Sequence, residues 1–183
     1  MRSPIALLFA VPSTAMLLAT SARADPPRIE FGGSTGLGVL AAGINPGRFA
    51  MSPSASFMVR GDGAFFVVRD TAALLGANGG GFGINNELTL GGGYAWKLVN
   101  ASAGLSLSGY SLPICGPRLC GQVSGIAPGA SARIDIFGPF LAGAIGVAAD
   151  CSATWIAGSA APVWSGLSVR CSAGPILRFS SRR

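Results

Sequence analysis

The sequence predicts an all-β chain, an eight-stranded antiparallel up-and-down β-barrel that follows a cleaved signal peptide. Apolar and small polar residues alternate with a period of two in segment after segment. Beyond the first two dozen residues, no stretch carries the ~20 unbroken apolar residues of a membrane helix. Charged residues make up only 11% of a chain that is 50% hydrophobic. A chain this apolar and without spanning helices satisfies its backbone in lipid only as a closed barrel.

Residues 1–24 read as the signal peptide and 25–183 as a single barrel domain. Arg2 gives a positive start, and Ile5 to Val11 and Ala15 to Ala19 form an apolar stretch interrupted by Pro12-Ser13-Thr14. Ala22-Arg23-Ala24 then supplies the small-x-small pattern of a cleavage site. Pro12 and Ser13 make the run too broken for a retained anchor. Cleavage removes Arg2 and Arg23 and lowers the net charge from +6 to +4. The remaining Lys and Arg are scattered singly apart from Arg182-Arg183, without the basic face of a nucleic-acid binder.

The alternating segments run roughly over 29–41, 48–60, 64–75, 86–96, 98–111, 122–136, 140–151 and 163–179. In the second, Phe49, Met51, Ala55, Phe57 and Val59 alternate with Ser52, Ser54, Ser56 and Arg60. In the fourth, Leu88, Leu90, Tyr94 and Trp96 oppose Glu87, Thr89 and glycines. The fifth sets Val99, Ala101, Ala103, Leu105 and Leu107 against Asn100, Ser102, Gly104, Ser106 and Ser108. The sixth sets Ile126, Ala130, Ala132, Ile134 and Ile136 against Ser131, Arg133 and Asp135. Gly61-Asp62-Gly63, the Lys97 region and Phe137-Gly138-Pro139 read as tight turns. The other connections, Ala42 to Gly47, Gly76 to Asn85, Leu112 to Gly121 and Ser152 to Pro162, read as longer loops, so that long and short connections alternate.

Aromatic residues gather at the segment ends. Phe31, Phe57, Phe65, Phe66, Tyr94, Trp96, Phe137, Phe140 and Phe179 fall on the tight-turn side, and Phe49, Tyr110, Trp155 and Trp164 on the other. Rings at the two membrane–water interfaces have this distribution. With its signal peptide, eight alternating segments, turn–loop asymmetry and aromatic ends, the chain resembles the small outer-membrane barrels of the OmpA-like transmembrane class. The resemblance implies short periplasmic turns, outward-facing loops and a place in the outer membrane of a Gram-negative bacterium. The chain departs from that pattern at its end, where Phe179 is followed by Ser180-Ser181-Arg182-Arg183.

Four cysteines in an exported chain suggest disulfides, and the spacing favours Cys115–Cys120 and Cys151–Cys171. The first pair would brace an external loop. The second would do so only if the last strand starts near Cys171. With no histidine and the two cysteine pairs far apart in sequence, a metal site is not expected, the commonest general base is missing, and no Ser-His or Cys-His pair can form. The chain therefore reads as a non-enzyme without cofactor. Arg60, Glu87, Arg133, Asp135 and Arg170 lie on the polar rows of their segments and are expected to meet and pair in the lumen. Gly36-Leu37-Gly38 and Gly91-Gly92-Gly93 precede no helix, and glycine there is expected to permit curvature and close strand approach.

Alternation says that the two faces differ, not which one is inside. Rows as small as Ser102-Gly104-Ser106-Ser108 suit a cramped lumen better than a soluble surface, which normally carries more charge. The sequence therefore points to a small outer-membrane barrel with lipid as its surroundings and a structural, adhesion or surface-interaction role. A soluble periplasmic or secreted lipocalin-like barrel binding a small apolar ligand, or a narrow channel, stands as the alternative.

Overall fold

The computed structural model describes residues 27–42, 45–76, 82–115, 120–138, 144–157 and 166–180, with backbone alone at 42, 45–47, 114–115 and 120. The expected signal peptide lies outside the described residues. Eight strands follow in order: β1 Arg28–Ala42, β2 Asn45–Arg60, β3 Ala64–Gly76, β4 Phe82–Trp96, β5 Val99–Cys115, β6 Cys120–Phe137, β7 Ile145–Ile156 and β8 Gly166–Ser180. Each pairs antiparallel with the next, and β8 returns to β1, so the sheet closes into a barrel.

The alternation predicted from sequence sets the wall. Leu37, Val39, Met51, Leu88, Leu90, Leu105, Ile134, Val147 and Leu177 point outward, and Leu105 is 77% exposed. The serine and arginine rows point inward, where Ser52, Ser106, Ser108, Ser131 and Arg133 are buried. A lipocalin-like arrangement has the opposite sense, with its apolar rows packed against one another inside. Among the described residues, nine rings face outward in two tiers. Phe31, Phe57, Phe66, Tyr94, Trp96 and Phe179 lie towards the end that holds the 61–63 and 97–98 turns, and Phe49, Phe82 and Trp155 towards the other. Phe31 and Phe57, on adjacent strands, pack at a centroid distance of 5.4 Å. Phe65, Tyr110 and Phe137, expected in these tiers, take the inward parity of their strands and pack inside instead. Phe140 and Trp164 lie outside the described residues.

The interior is layered. A cluster of Leu40, Ala50, Ala73, Leu75, Leu112, Ala127 and Ile156 fills the end opposite the tight turns. Met58, Phe65, Val67 and Ala95, together with Phe137, Ala148 and Ile176, fill the turn end. Polar and charged side chains occupy the belt between. Where strands come closest, side chains are excluded: Gly91 and Gly104 face each other across β4 and β5, and a methyl group on either would collide with the opposing backbone.

Three boundaries differ from the sequence reading. Long and short connections do not alternate: only residues 43–44 separate β1 from β2 and 116–119 separate β5 from β6, whereas 138–144 separate β6 from β7. Gly- and Pro-rich segments read as loops, including Leu112 to Cys115, instead continue the backbone ladder as far as Cys115 opposite Cys120. The seventh and eighth strands sit later than expected because β7 is anchored by Phe137↔Gly146 and Ile145↔Leu177.

That shift corrects the role given to Cys151–Cys171. The disulfide forms, but between directly opposed residues in the middle of β7 and β8, with both cysteines on the outer face. It braces the wall, not a loop. The Cys115 and Cys120 side chains fall outside the described residues.

Candidate functional site

Two features stand out as candidates: the charged belt inside the barrel and the hairpin that rises above it. The belt is assembled from strands that do not all touch one another. From β8, the Arg170 guanidinium donates to Asp150 on β7 at 2.9 Å and pairs at 3.4 Å with Glu87 on β4. Ser172 donates to the other Asp150 oxygen at 2.7 Å. Thr89 donates to Glu87 at 3.4 Å and shares a hydrogen bond of 3.0 Å with Ser131 on β6, which also accepts from Arg69 on β3 at 3.1 Å. One connected network thus ties β3, β4, β6, β7 and β8 together through the lumen.

A second group joins the opposite wall. Arg133 donates to Asp135 two residues along its own strand and to Ser54 on β2 at 3.0 Å, and Ser54 bonds Ser34 on β1 at 2.6 Å. At the turn end, Glu30 lies 3.7 Å from both Arg60 and Arg178. The Arg178 guanidinium stacks 3.9 Å above the Phe137 ring. The belt itself holds three arginines (Arg69, Arg133, Arg170) and three acids (Glu87, Asp135, Asp150), so its formal charge balances.

Of the five residues singled out from sequence, Glu87 and Arg170 meet, Arg133 and Asp135 meet, and Arg60 stands apart at the turn end with Glu30. Sequence reasoning missed Glu30, Arg69, Asp150 and Arg178. Asp150 shares the parity of Ser152, a signal that flags it. Arg69 carries no such signal, because its neighbour Asp70 puts a charge on the other row as well.

The belt is sealed. Arg170 is 2% exposed, and Glu87, Thr89 and Ser108 are each 1% exposed. A lumen wide enough for a file of water would leave these side chains wetted. What the belt does chemically is hold the walls together at fixed spacing with paired charges.

The hairpin is the other feature. β4 pairs with β5 only as far as Ser111, and β7 pairs with β6 only from Gly129. Above those points the ladder among the described residues runs between β5 and β6. Among the described residues, 120–128 of β6 have no ladder partner on the β7 side. The exposed Ser111, Gln122 and Ser124 hydrogen-bond across this ribbon at 3.1 Å and 3.2 Å.

Comparison with known proteins supports the architecture. No protein-family model matches the sequence, and no curated protein matches it. Solved structures do match in shape. Neisserial surface protein A is 14% identical with a TM-score of 0.52, covering 85% of this chain and 99% of its own. Ail, the attachment invasion locus protein of Yersinia pestis, is 9% identical with a TM-score of 0.59, covering 84% and 97%. The N-terminal β-barrel domain of Pseudomonas aeruginosa OprF is 8% identical with a TM-score of 0.50, covering 83% and 97%. At these identities the likeness establishes the fold, which is that of the small eight-stranded outer-membrane barrels.

Proposed function

We propose that this chain is a plugged outer-membrane barrel that acts through its outward end, as a surface-interaction or adhesion protein, and not through its lumen. The observation that carries this is the sealed belt, with Arg170 and Glu87 shut off from solvent between two apolar clusters. A narrow channel would need that belt to open. The projecting β5–β6 ribbon supplies the surface, and among the described residues its β6 edge carries no ladder partner on the β7 side, so a partner strand could extend the sheet there. Ail was also solved with the heparin analogue sucrose octasulfate, at 7% identity and a TM-score of 0.55 to this chain. That likeness makes sulfated glycans a reasonable first probe.

The test has two parts. Membranes from cells making the chain are washed with carbonate and run on gels unboiled; the barrel stays with the outer membrane and migrates faster than its boiled form. Cells displaying the intact barrel are then compared on heparin-coated and uncoated surfaces with cells whose hairpin is cut back to join Ser111 directly to Ser124 through a two-residue turn. Retention lost on shortening supports the reading. A barrel released with the periplasm, or equal adhesion by both forms, overturns it.

A further inference from the structure

One residue breaks the pattern of the outer wall. Among the described strand residues, every acidic or basic side chain lies on the inward row except Asp70, which points outward from the middle of β3. It pairs in register with Leu88, which lies midway along β4 between the outward rings Phe82 and Tyr94. Asp70 is therefore at the centre of the oily band, with no hydrogen bond or ion pair from any described residue. A lipid-facing carboxylate there is costly and calls for a partner.

The neighbouring strands show what shape that partner takes. Asp70 faces Ala55 on β2, and two residues further along β2, Pro53 faces Thr35 on β1. Thr35 is outward and exposed, and the positions between and around it, Gly33, Ala55 and Ala72, are small. The heights of Thr35 and Asp70 follow from the register. A row of paired residues starting at Leu37, midway along β1, passes through Met51, Leu74, Ile84 and Ser111 to reach Ser124 near the tip of β6. Each step to the next strand thus climbs towards the outward end. The climb from β1 across to β3 is offset by the two-residue step back from Pro53 to Ala55. With strands ~4.8 Å apart and tilted by ~40°, Thr35 and Asp70 come level to within about 2 Å.

A hydroxyl donor and a carboxylate acceptor at one height, on either side of a small-residue centre, form a self-complementary patch. Two copies inserted in the same direction are related by a two-fold axis along the membrane normal, and such an axis conserves height. If it passes through β2, it sets Thr35 of each copy opposite Asp70 of the other. We infer that a second copy of this chain docks on the β1–β3 wall, with Thr35 donating to Asp70 in both directions and Pro53 seated among the partner's small residues. The remaining outward side chains of the oily band across β5–β8 are apolar, and the polar exception on β4, Asn86, pairs with Ala72, two residues nearer the outward end than Asp70, so among the described residues Thr35 and Asp70 form the one level hydroxyl–carboxylate couple of that band.

The full chain, reconstituted in phosphatidylcholine vesicles with donor and acceptor dyes on separate copies, tests this by energy transfer across a dilution series. Each variant is first shown to be inserted by its gel shift on boiling. The wild-type chain is expected to dimerise. Asp70→Leu and Thr35→Val each weaken association by roughly tenfold to a hundredfold, as expected for two intramembrane hydrogen bonds. Ala55→Phe, which adds only apolar surface to the lipid face, abolishes it by filling the centre. Mixing Asp70→Leu with Thr35→Val restores one intact contact, so the mixed pair associates more tightly than either variant alone. A monomeric wild type, association unchanged by Asp70→Leu, or no gain on mixing overturns the inference. A chain that fails to insert overturns the membrane reading on which it rests.

Discussion

Arg170 and Glu87 sit on β8 and β4, strands on opposite sides of the ring that exchange no backbone hydrogen bond, yet their charges lie 3.4 Å apart at the centre of the barrel. Side chains therefore cross the lumen and hold walls that the ladders alone leave independent. Removing Glu87 leaves Arg170 with Asp150 as its remaining carboxylate and the belt with one positive charge in excess, at a cost of about 1–3 kcal/mol. Glu87→Ala should lower the urea midpoint of the folded barrel, followed by tryptophan fluorescence, by an amount of that order. In a double-mutant cycle, Glu87→Ala with Arg170→Met should lose clearly less than the sum of the single changes. Additive losses would mean that the two charges are not coupled.

The outer wall offers a direct test of which face meets lipid. Leu90 is half exposed on β4, between the two aromatic tiers. In a bilayer, Leu90→Arg should destabilise the barrel by about 2–4 kcal/mol, the cost of a cation near the midplane. On a water-exposed surface the same change would be close to neutral or would raise solubility. Reversible unfolding in lipid vesicles distinguishes the two.

The wall disulfide should be shielded by its surroundings. Cys151 and Cys171 face outward at mid-strand, so in vesicles a charged phosphine reductant should leave the bond intact, while in urea the same reagent should open it within minutes. Their sequence separation of 20 makes the bond worth roughly 3 kcal/mol by unfolded-chain entropy. Cys151→Ala with Cys171→Ala should lower stability by no more than that and keep the fold. Thiol labelling with and without lipid, with an unfolding titration, checks both points.

Close strand contact at Gly91 and Gly104 leaves no room for a side chain. Gly104→Val should therefore cut the yield of the heat-modifiable folded form, by the roughly 1–3 kcal/mol or more typical of overpacking. Gly109→Val is the control, because a methyl group there meets only the Asn86 carbonyl oxygen, at an ordinary van der Waals distance of 4.0 Å. Equal yields from the two variants would show that the β4–β5 approach tolerates bulk.

The period-two pattern makes the strand count, the antiparallel order and the inward placement of Glu87, Arg133, Asp135 and Arg170 legible in the sequence. It works because one side chain in two faces each way, so a consistent row of serines names a face. It is least informative where both rows are mixed. Arg69 and Asp70 are adjacent and opposite in sign, and nothing local says which one turns inward. Ring closure decides that, because the parity of β3 is tied to Ser56↔Arg69 on one side and Arg69↔Thr89 on the other.

The amino-acid order by itself determined a greasy, two-faced β chain with enough strands to close, because alternation and the want of charge are properties of neighbours along the chain. Only the tertiary structure decided who meets whom. Pairing across the lumen, the sealing of both ends, the strand register that turns supposed loops into a projecting ribbon, and the mid-wall seat of Cys151–Cys171 all depend on where the eighth strand returns to the first. That closure is a long-range event that no stretch of sequence encodes locally.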